Sequence, residues 1–298
     1  MTDTLRQRYL DAEALQNLGT LQIKARTLVE GIIAGMHRSP HRGGSVEFSE
    51  YTEYSPGQEL RHVDWKVYAK SDKYYVKQYE DETNLQAYFV LDGSGSMNFQ
   101  SEEAPITKLD YVRLVAAALA YLFLRQGDAV GGLSFDEKTR QFLPASSRKN
   151  HLDDLFYLFE QMPGQGTTDL GQALRTIAER ARNRSLILMF SDFLDADPDT
   201  MDFLRVLRRR RFDVALFHVV DPAEITLPYE GLTIFEGLEG EDDLLVDPDD
   251  LRDAYNARIR EHLEWVEDQC REGDITYQRF LTNEPLEEVC AQFLRGRL

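Results

Sequence analysis

Five oxygen-bearing side chains stand where apolar runs give way to polar loops. The run AYFVLD (87–92) ends in Asp92 and continues as DGSGSM, which puts Asp92, Ser94 and Ser96 at alternate positions. A second run, LILMFSD (186–192), ends in Asp192. Between the two lies GQGTTDLGQAL, where Thr168 and Asp169 open a helical pattern after a glycine turn. Three hydroxyls and two carboxylates are oxygen donors only, a set that selects Mg²⁺, Mn²⁺ or Ca²⁺ over zinc. Mg²⁺ takes about six ligands in near-octahedral geometry and dehydrates reluctantly. Three hydroxyls with water-bridged carboxylates leave one position open, and so few charged direct ligands leave the ion electrophilic. A Glu or Asp of another protein is the natural occupant. The plain structural alternative assigns Ser94 and Ser96 to a turn, both aspartates to ordinary strand ends and Thr168 to a helix N-cap.

No convincing general base or nucleophile accompanies these residues, so the chain reads as a binding module and not an enzyme. The catalytic alternative is a Mg²⁺-dependent phosphohydrolase with Asp92 as nucleophile. Haloacid-dehalogenase-type chemistry needs a second Asp two residues on, where this chain has Ser94, and no phosphate-cradling G-x-x-x-x-G-K is present.

The elements that must position the five residues alternate between strand and helix from residue 86 onward. Short apolar runs at 87–92, 186–192 and VALFHVVD (214–221) suit a buried parallel sheet. Further strands are expected at AVGGLSF, TRQFLP and ITYQRFLT. Helices are expected over about 107–125, 150–161, 169–183 and 249–271, and from about 285. That order implies a mostly parallel sheet covered on both faces, and ligands of such sheets bind at the carboxyl ends of the strands. Before residue 85 the pattern differs. Residues 15–36 have helical spacing, a Gly- and Pro-containing loop follows, and two β-rich runs around Lys70-Ser71-Asp72 predict a hairpin. The expected division is 1–84 as an N-terminal helix, loop and hairpin module, and 85–298 as the α/β domain.

The chain has 298 residues and a formal charge of −18. Residues 221–298 hold 7 Lys+Arg against 21 Asp+Glu, so this acidic C-terminal part carries most of the imbalance. Such a surface repels nucleic acid and anionic membrane and favours basic partners. No run of about 18 apolar residues and no signal-peptide core appears, so a cytoplasmic protein without membrane insertion is expected. Cys270 and Cys290 lack metal-ligand spacing and read as reduced thiols on packed elements. The basic run Arg208–Arg211 falls where a helix ends, where cations complement the helix dipole. The six histidines show no paired metal spacing.

The pattern DGSGSM, then Thr-Asp after glycine, then an apolar strand ending in Ser-Asp resembles the metal-ion-dependent adhesion site of von Willebrand factor A domains. By that resemblance Asp92, Ser94, Ser96, Thr168 and Asp192 match its five positions. Thr168 is preferred to Thr167 because the family's threonine is usually followed directly by Asp or Asn. Upstream, GMHRSPHRGGSVEFSEYTEYSPGQELRHVDWKVYAK resembles the signature of the fifty-eighth domain-of-unknown-function family, with Tyr54, Pro56, Gly57, Arg61, Asp64 and Trp65 at matching positions. It departs from that family at Gln58-Glu59, where paired acids are common. Arg61, Asp64 and Trp65 read as an ion pair and anchor that docks the N-terminal module, with a partner-binding patch as the alternative. The resemblance implies a Rossmann-like von Willebrand factor A fold, Mg²⁺ at the five residues, and partnership with a MoxR-type AAA+ ATPase in chaperone-like assembly of other complexes. A client protein would then offer an acidic residue to the metal.

Overall fold

The computed structural model describes residues 20–36, 51–53, 75–77, 85–148 and 150–296. The chain forms two compact units, one of Met1–Arg38 with Leu85–Leu298, the other of Ser39–Asn84. In the smaller unit strand β1 (Tyr51–Glu53) pairs antiparallel with β2 (Tyr75–Lys77). The second of the two expected β-rich runs therefore does supply a strand, but its described partner is Tyr51–Glu53. The expected turn at Lys70–Asp72, and Tyr54, Pro56, Gly57, Arg61, Asp64 and Trp65, lie outside the described residues.

The larger unit is built on a six-stranded sheet in the order β10-β7-β6-β3-β4-β5. Its strands are β3 (Gln86–Asp92), β4 (Ala129–Phe135), β5 (Thr139–Ser146), β6 (Leu186–Ser191), β7 (Asp213–Val220) and β10 (Thr276–Leu281). All neighbours are parallel except β4 and β5, which are joined by a short connection and pair antiparallel, so β5 is an edge strand. β3 and β6 are the central pair. Their side chains alternate between two cores, as a strand period of two requires. Phe89, Leu91, Leu188 and Phe190 enter one core, and Tyr88, Val90, Ile187 and Met189 enter the other. On the first face Phe89, Phe190 and Phe217 line up across three strands, with ring centroids 6.4 Å and 4.5 Å apart. Truncating one such ring costs about 3–5 kcal/mol.

Helices cover both faces. Helices α2 (Lys108–Arg125), α3 (His151–Glu160) and α8 (Leu286–Arg295) contribute to the first core. Helices α4 (Leu170–Arg180), α5 (Pro198–Arg209) and α7 (Pro248–Glu272) contribute to the second. Helix α1 (Leu21–Met36) also joins the first core, through Leu21, Ala25, Leu28, Val29 and Ile32. The expected grouping of this helix with the following hairpin is therefore corrected. Its apolar stripe has α2, α3 and α8 as counter-surface, and burial there outweighs nearness in sequence.

The α/β architecture and the expected strands and long helices are present. In the larger unit the one-turn helix α6 (Pro222–Thr226) and the hairpin of β8 (Thr233–Phe235) with β9 (Leu244–Val246) were not anticipated. Arg208 and Arg209 occupy the last turn of α5, where Arg208 pairs with Asp213 at 2.6 Å and with Asp274. Both cysteines are free and buried. Among the described residues no helix is long and apolar enough to cross a membrane.

Candidate metal centre

The parallel register brings β3 and β6 to an end at the same level, with Leu91 opposite Phe190. Asp92 is consequently beside Ser191, whose hydroxyl donates to Asp92 Oδ2 at 2.7 Å. The chain turns sharply after each strand. The Ser94 amide donates to Asp92 Oδ1 at 2.9 Å, and the Phe193 amide donates to Ser191 Oγ at 3.0 Å. Phe193 itself adopts φ 50°, a left-handed conformation uncommon outside glycine, while its ring is fully buried. A packed ring thus holds the bend that presents Asp192.

The third loop is stitched to the first by backbone. The Gly95 amide donates to the Gly166 carbonyl at 2.8 Å and the Gln165 amide to the Gly93 carbonyl at 3.1 Å. Gly166 has φ 81°, which glycine alone adopts without cost. Asp169 then caps α4 by accepting from the Gln172 amide at 2.7 Å. This leaves Thr168 facing the strand ends, with Oγ1 donating to Asp92 Oδ2 at 3.0 Å, while Thr167 is exposed. Ser94 and Ser96 hydroxyls are 3.1 Å apart, and Ser96, Thr168 and Asp192 line one cleft. All five residues singled out in the sequence therefore converge on one ledge. Asp92 and Ser94 are fully buried and Asp192 nearly so.

Sequence reasoning missed a buried cation. The Lys108 side chain, at the first position of α2, is fully enclosed; its ammonium donates to Asp192 Oδ2 at 2.8 Å and also to Glu224. Burial works against its charge, but Asp192 and Glu224 outweigh that and hold Lys108 above the usual lysine range. The two carboxylates respond differently. Burial alone would raise Asp192, yet Lys108 brings it below its ordinary value, whereas burial keeps Glu224 raised despite the same lysine. Asp192 is the principal partner. Nothing in a Lys opening a helix announces burial; the capping box of Asp221 and Glu224, which fixes Glu224, was readable as D-P-A-E.

Asp92 has no such neutralisation. Its hydrogen-bond partners are two hydroxyls and a backbone amide, none of them charged. Burial first, then repulsion from Asp192, push its carboxyl up to about 7. In the next strand His218, opposite Ser191, accepts or donates at Nδ1 with Tyr277 Oη at 2.9 Å. Burial is the main reason its pKa drops to about 3, so the ring is neutral near pH 7.

The donor set fits a small hard cation. Adjacent ligands of an octahedral Mg²⁺ at 2.0–2.1 Å lie about 3 Å from each other. The Ser94–Ser96 and Thr168–Asp92 oxygen separations are 3.1 Å and 3.0 Å. A hydroxyl that donates its proton to a carboxylate turns its lone pairs the other way, as ligation requires. Among the described residues no three His, Cys, Asp or Glu side chains form a metal-binding group; hydroxyls supply much of this donor set. Above the ledge opens a cleft of about 410 Å³, bounded by Ser96, Thr168 and Asp192 on one side and by Leu238, Glu239 and Glu241 on the other.

Comparison with known proteins agrees with the upstream signature and the fold. An uncharacterized protein of Mycobacterium tuberculosis is 26% identical over 234 residues, covering 77% of this chain and 72% of that one. A Mycobacterium bovis protein matches to the same extent. Among solved structures, BatB, a conserved hypothetical protein of Bacteroides thetaiotaomicron, superposes with a TM-score of 0.50 at 14% identity, over 71% of this chain and 98% of its own. That likeness carries the fold alone, a von Willebrand factor A-like α/β domain. A sequence match spanning residues 50–264, from β1 into helix α7, places the chain in the family described as protein of unknown function DUF58.

Proposed function

We propose that this protein is a non-catalytic, metal-dependent binding adaptor that works with a MoxR-type AAA+ ATPase in chaperone-like assembly or maturation of protein complexes. Mg²⁺ is the ion that the ledge suits best, with Mn²⁺ or Ca²⁺ as substitutes, held by Asp92, Ser94, Ser96, Thr168 and Asp192. When bound, the ion supplies a Lewis-acidic position for a carboxylate of the client protein. The observation that carries this reading is the meeting of side-chain oxygens from three loops, with the Ser94–Ser96 hydroxyls and the Thr168–Asp92 oxygens spaced like adjacent ligands of one small cation. Lys108 holds Asp192 in its charged form, and Ser191 and Thr168 orient Asp92.

The phosphohydrolase alternative has no support in this geometry. Ser94 stands where that chemistry requires a second carboxylate, and the hydrogen-bond partners of Asp92 are hydroxyls and a backbone amide.

The test is affinity capture from lysate of the source organism with Mg²⁺, with a chelator, and with an Asp92→Ala variant. Retention of an AAA+ ATPase only with metal and an intact ledge is the expected result. Recovery of the same partners in all three arms would refute the metal-bridged mode.

A further inference from the structure

Residues 230–250 contain nine Asp and Glu and no Lys or Arg. From this stretch come β8 and β9, paired through Thr233–Val246, Ile234–Leu245 and Phe235–Leu244. The connecting tip, residues 236–243, lies against the ledge. The Ser96 amide donates to Glu239 Oε1 at 3.0 Å. Beside it the Leu238 carbonyl approaches Gly95 so closely that a Cβ built there would be 2.0 Å from the oxygen. Gly95 has ordinary helical φ and ψ, so it is this approach, and not backbone conformation, that requires glycine. Within the tip the Glu239 amide donates to Glu241 Oε2 at 2.9 Å, and the Gly237 amide to Asp243 Oδ1 at 3.3 Å, which keeps the turn bent. Elsewhere the hairpin is weakly held, since Leu232, Ile234, Leu244 and Leu245 are all more than half exposed. A segment with little apolar burial opens at low cost.

We propose that the hairpin 233–246 is a tethered competitor for the ledge: Glu239 stands at the approach to Ser96, Thr168 and Asp192, and a client's acidic side chain enters when the hairpin swings away. The inference rests on the reading of the ledge as the receptor of a partner carboxylate. It also describes the client segment, because the tip shows what the ledge accommodates: an acidic residue beside a leucine on a glycine-bordered turn. A tethered ligand acts at an effective concentration in the millimolar range, and a closed state lowers apparent outside affinity by the fraction of molecules that are open.

The experiment uses the full chain, wild type and Glu239→Ala, with a labelled synthetic peptide of residues 233–246 as probe in Mn²⁺. Peptide affinity is read by fluorescence anisotropy, Mn²⁺ binding by calorimetry, and amide exchange of residues 94–99 by mass spectrometry. The expected result is that Glu239→Ala binds the peptide about tenfold more tightly or better, and that residues 94–99 exchange faster as the Ser96 amide loses its partner. Equal affinity, or no peptide binding to either protein, while Mn²⁺ is bound overturns the competitor and leaves the metal reading standing. If wild type binds no Mn²⁺, the metal reading fails instead, and exchange decides alone: faster exchange in the variant supports the closed hairpin, unchanged exchange removes it.

Discussion

The floor of the cleft stands on the ends of two central strands, whereas its roof hangs from a hairpin with Leu232, Ile234, Leu244 and Leu245 turned to solvent. In the floor, every position follows from something buried. Phe89 and Phe190 set the register of β3 and β6, that register places Asp92 beside Ser191, and the packed Phe193 ring sets the bend after Asp192. In the roof, position depends on one hydrogen bond, from the Ser96 amide to Glu239, and on the close approach of the Leu238 carbonyl to Gly95. Two surfaces that meet over one small volume thus differ in stiffness, and a binding site of that kind can keep its donors fixed while its access changes.

The largest effect expected from breaking this contrast is in the floor. Replacing Lys108 with Met would leave Asp192 and Glu224 buried without their cation. Removing one member of a buried charge pair costs about 3–5 kcal/mol. Urea unfolding should show a loss of that size, with Glu239→Ala close to wild type under the same conditions. A Lys108→Met loss below about 1 kcal/mol would mean that the floor is not the rigid side.

A smaller effect belongs to His218. Its folded pKa of about 3 lies below the ordinary 6.5, mainly through burial, so unfolding at acid pH takes up a proton. The stabilisation is complete above the unfolded value and is lost as pH falls from 6.5 toward 3, at up to about 1.4 kcal/mol per pH unit. Asp92 acts in the opposite sense. Its carboxyl is pushed up to about 7 from 3.8 by burial and by Asp192, so it favours the fold at low pH and that contribution disappears as pH rises through 7. The diagnostic quantity is therefore the difference between wild type and His218→Gln. Between pH 7 and pH 5 the wild type should lose about 2 kcal/mol more than the variant. Parallel pH profiles would place His218 in contact with solvent.

How far the molecule could be read beforehand follows the same division. AYFVLD and LILMFSD were legible because strands buried on both faces are apolar throughout, and a carboxylate at such an end stands out. The five ledge residues were legible together because they end a strand, follow one or open a helix, whereas the choice of Thr168 over Thr167 rests on resemblance; in the fold Thr168 donates to Asp92 and Thr167 is exposed. Lys108 was not legible, since a lysine opening a helix reads as solvated and only the fold brings Asp192 and Glu224 to it from 84 and 116 residues away. Glu239 was hidden for the same reason, at 143 residues from Ser96 and in a stretch with no periodicity. The packing of α1 on the α/β body was missed because amphipathic spacing says that a helix has an apolar stripe, not which surface covers it.

The smallest effect sharpens the roof. Ile234 and Leu245 face each other across β8 and β9 and are 62% and 56% exposed. A cross-strand apolar pair in solvent contributes only a few tenths of a kcal/mol to about 1 kcal/mol, and surface substitutions elsewhere stay within about 0.5 kcal/mol. Leu245→Lys should consequently leave the urea midpoint of the whole unit almost unchanged, because β8 and β9 share no ladder with the six-stranded sheet. The same substitution should still alter the roof locally: loss of the Ile234–Leu245 pair loosens the hairpin, and amide exchange within residues 233–246 should rise while that of 87–92 and 186–191 does not. A global loss above about 2 kcal/mol would show that the hairpin is integral to the core, and the division into fixed floor and movable roof would then have to be given up.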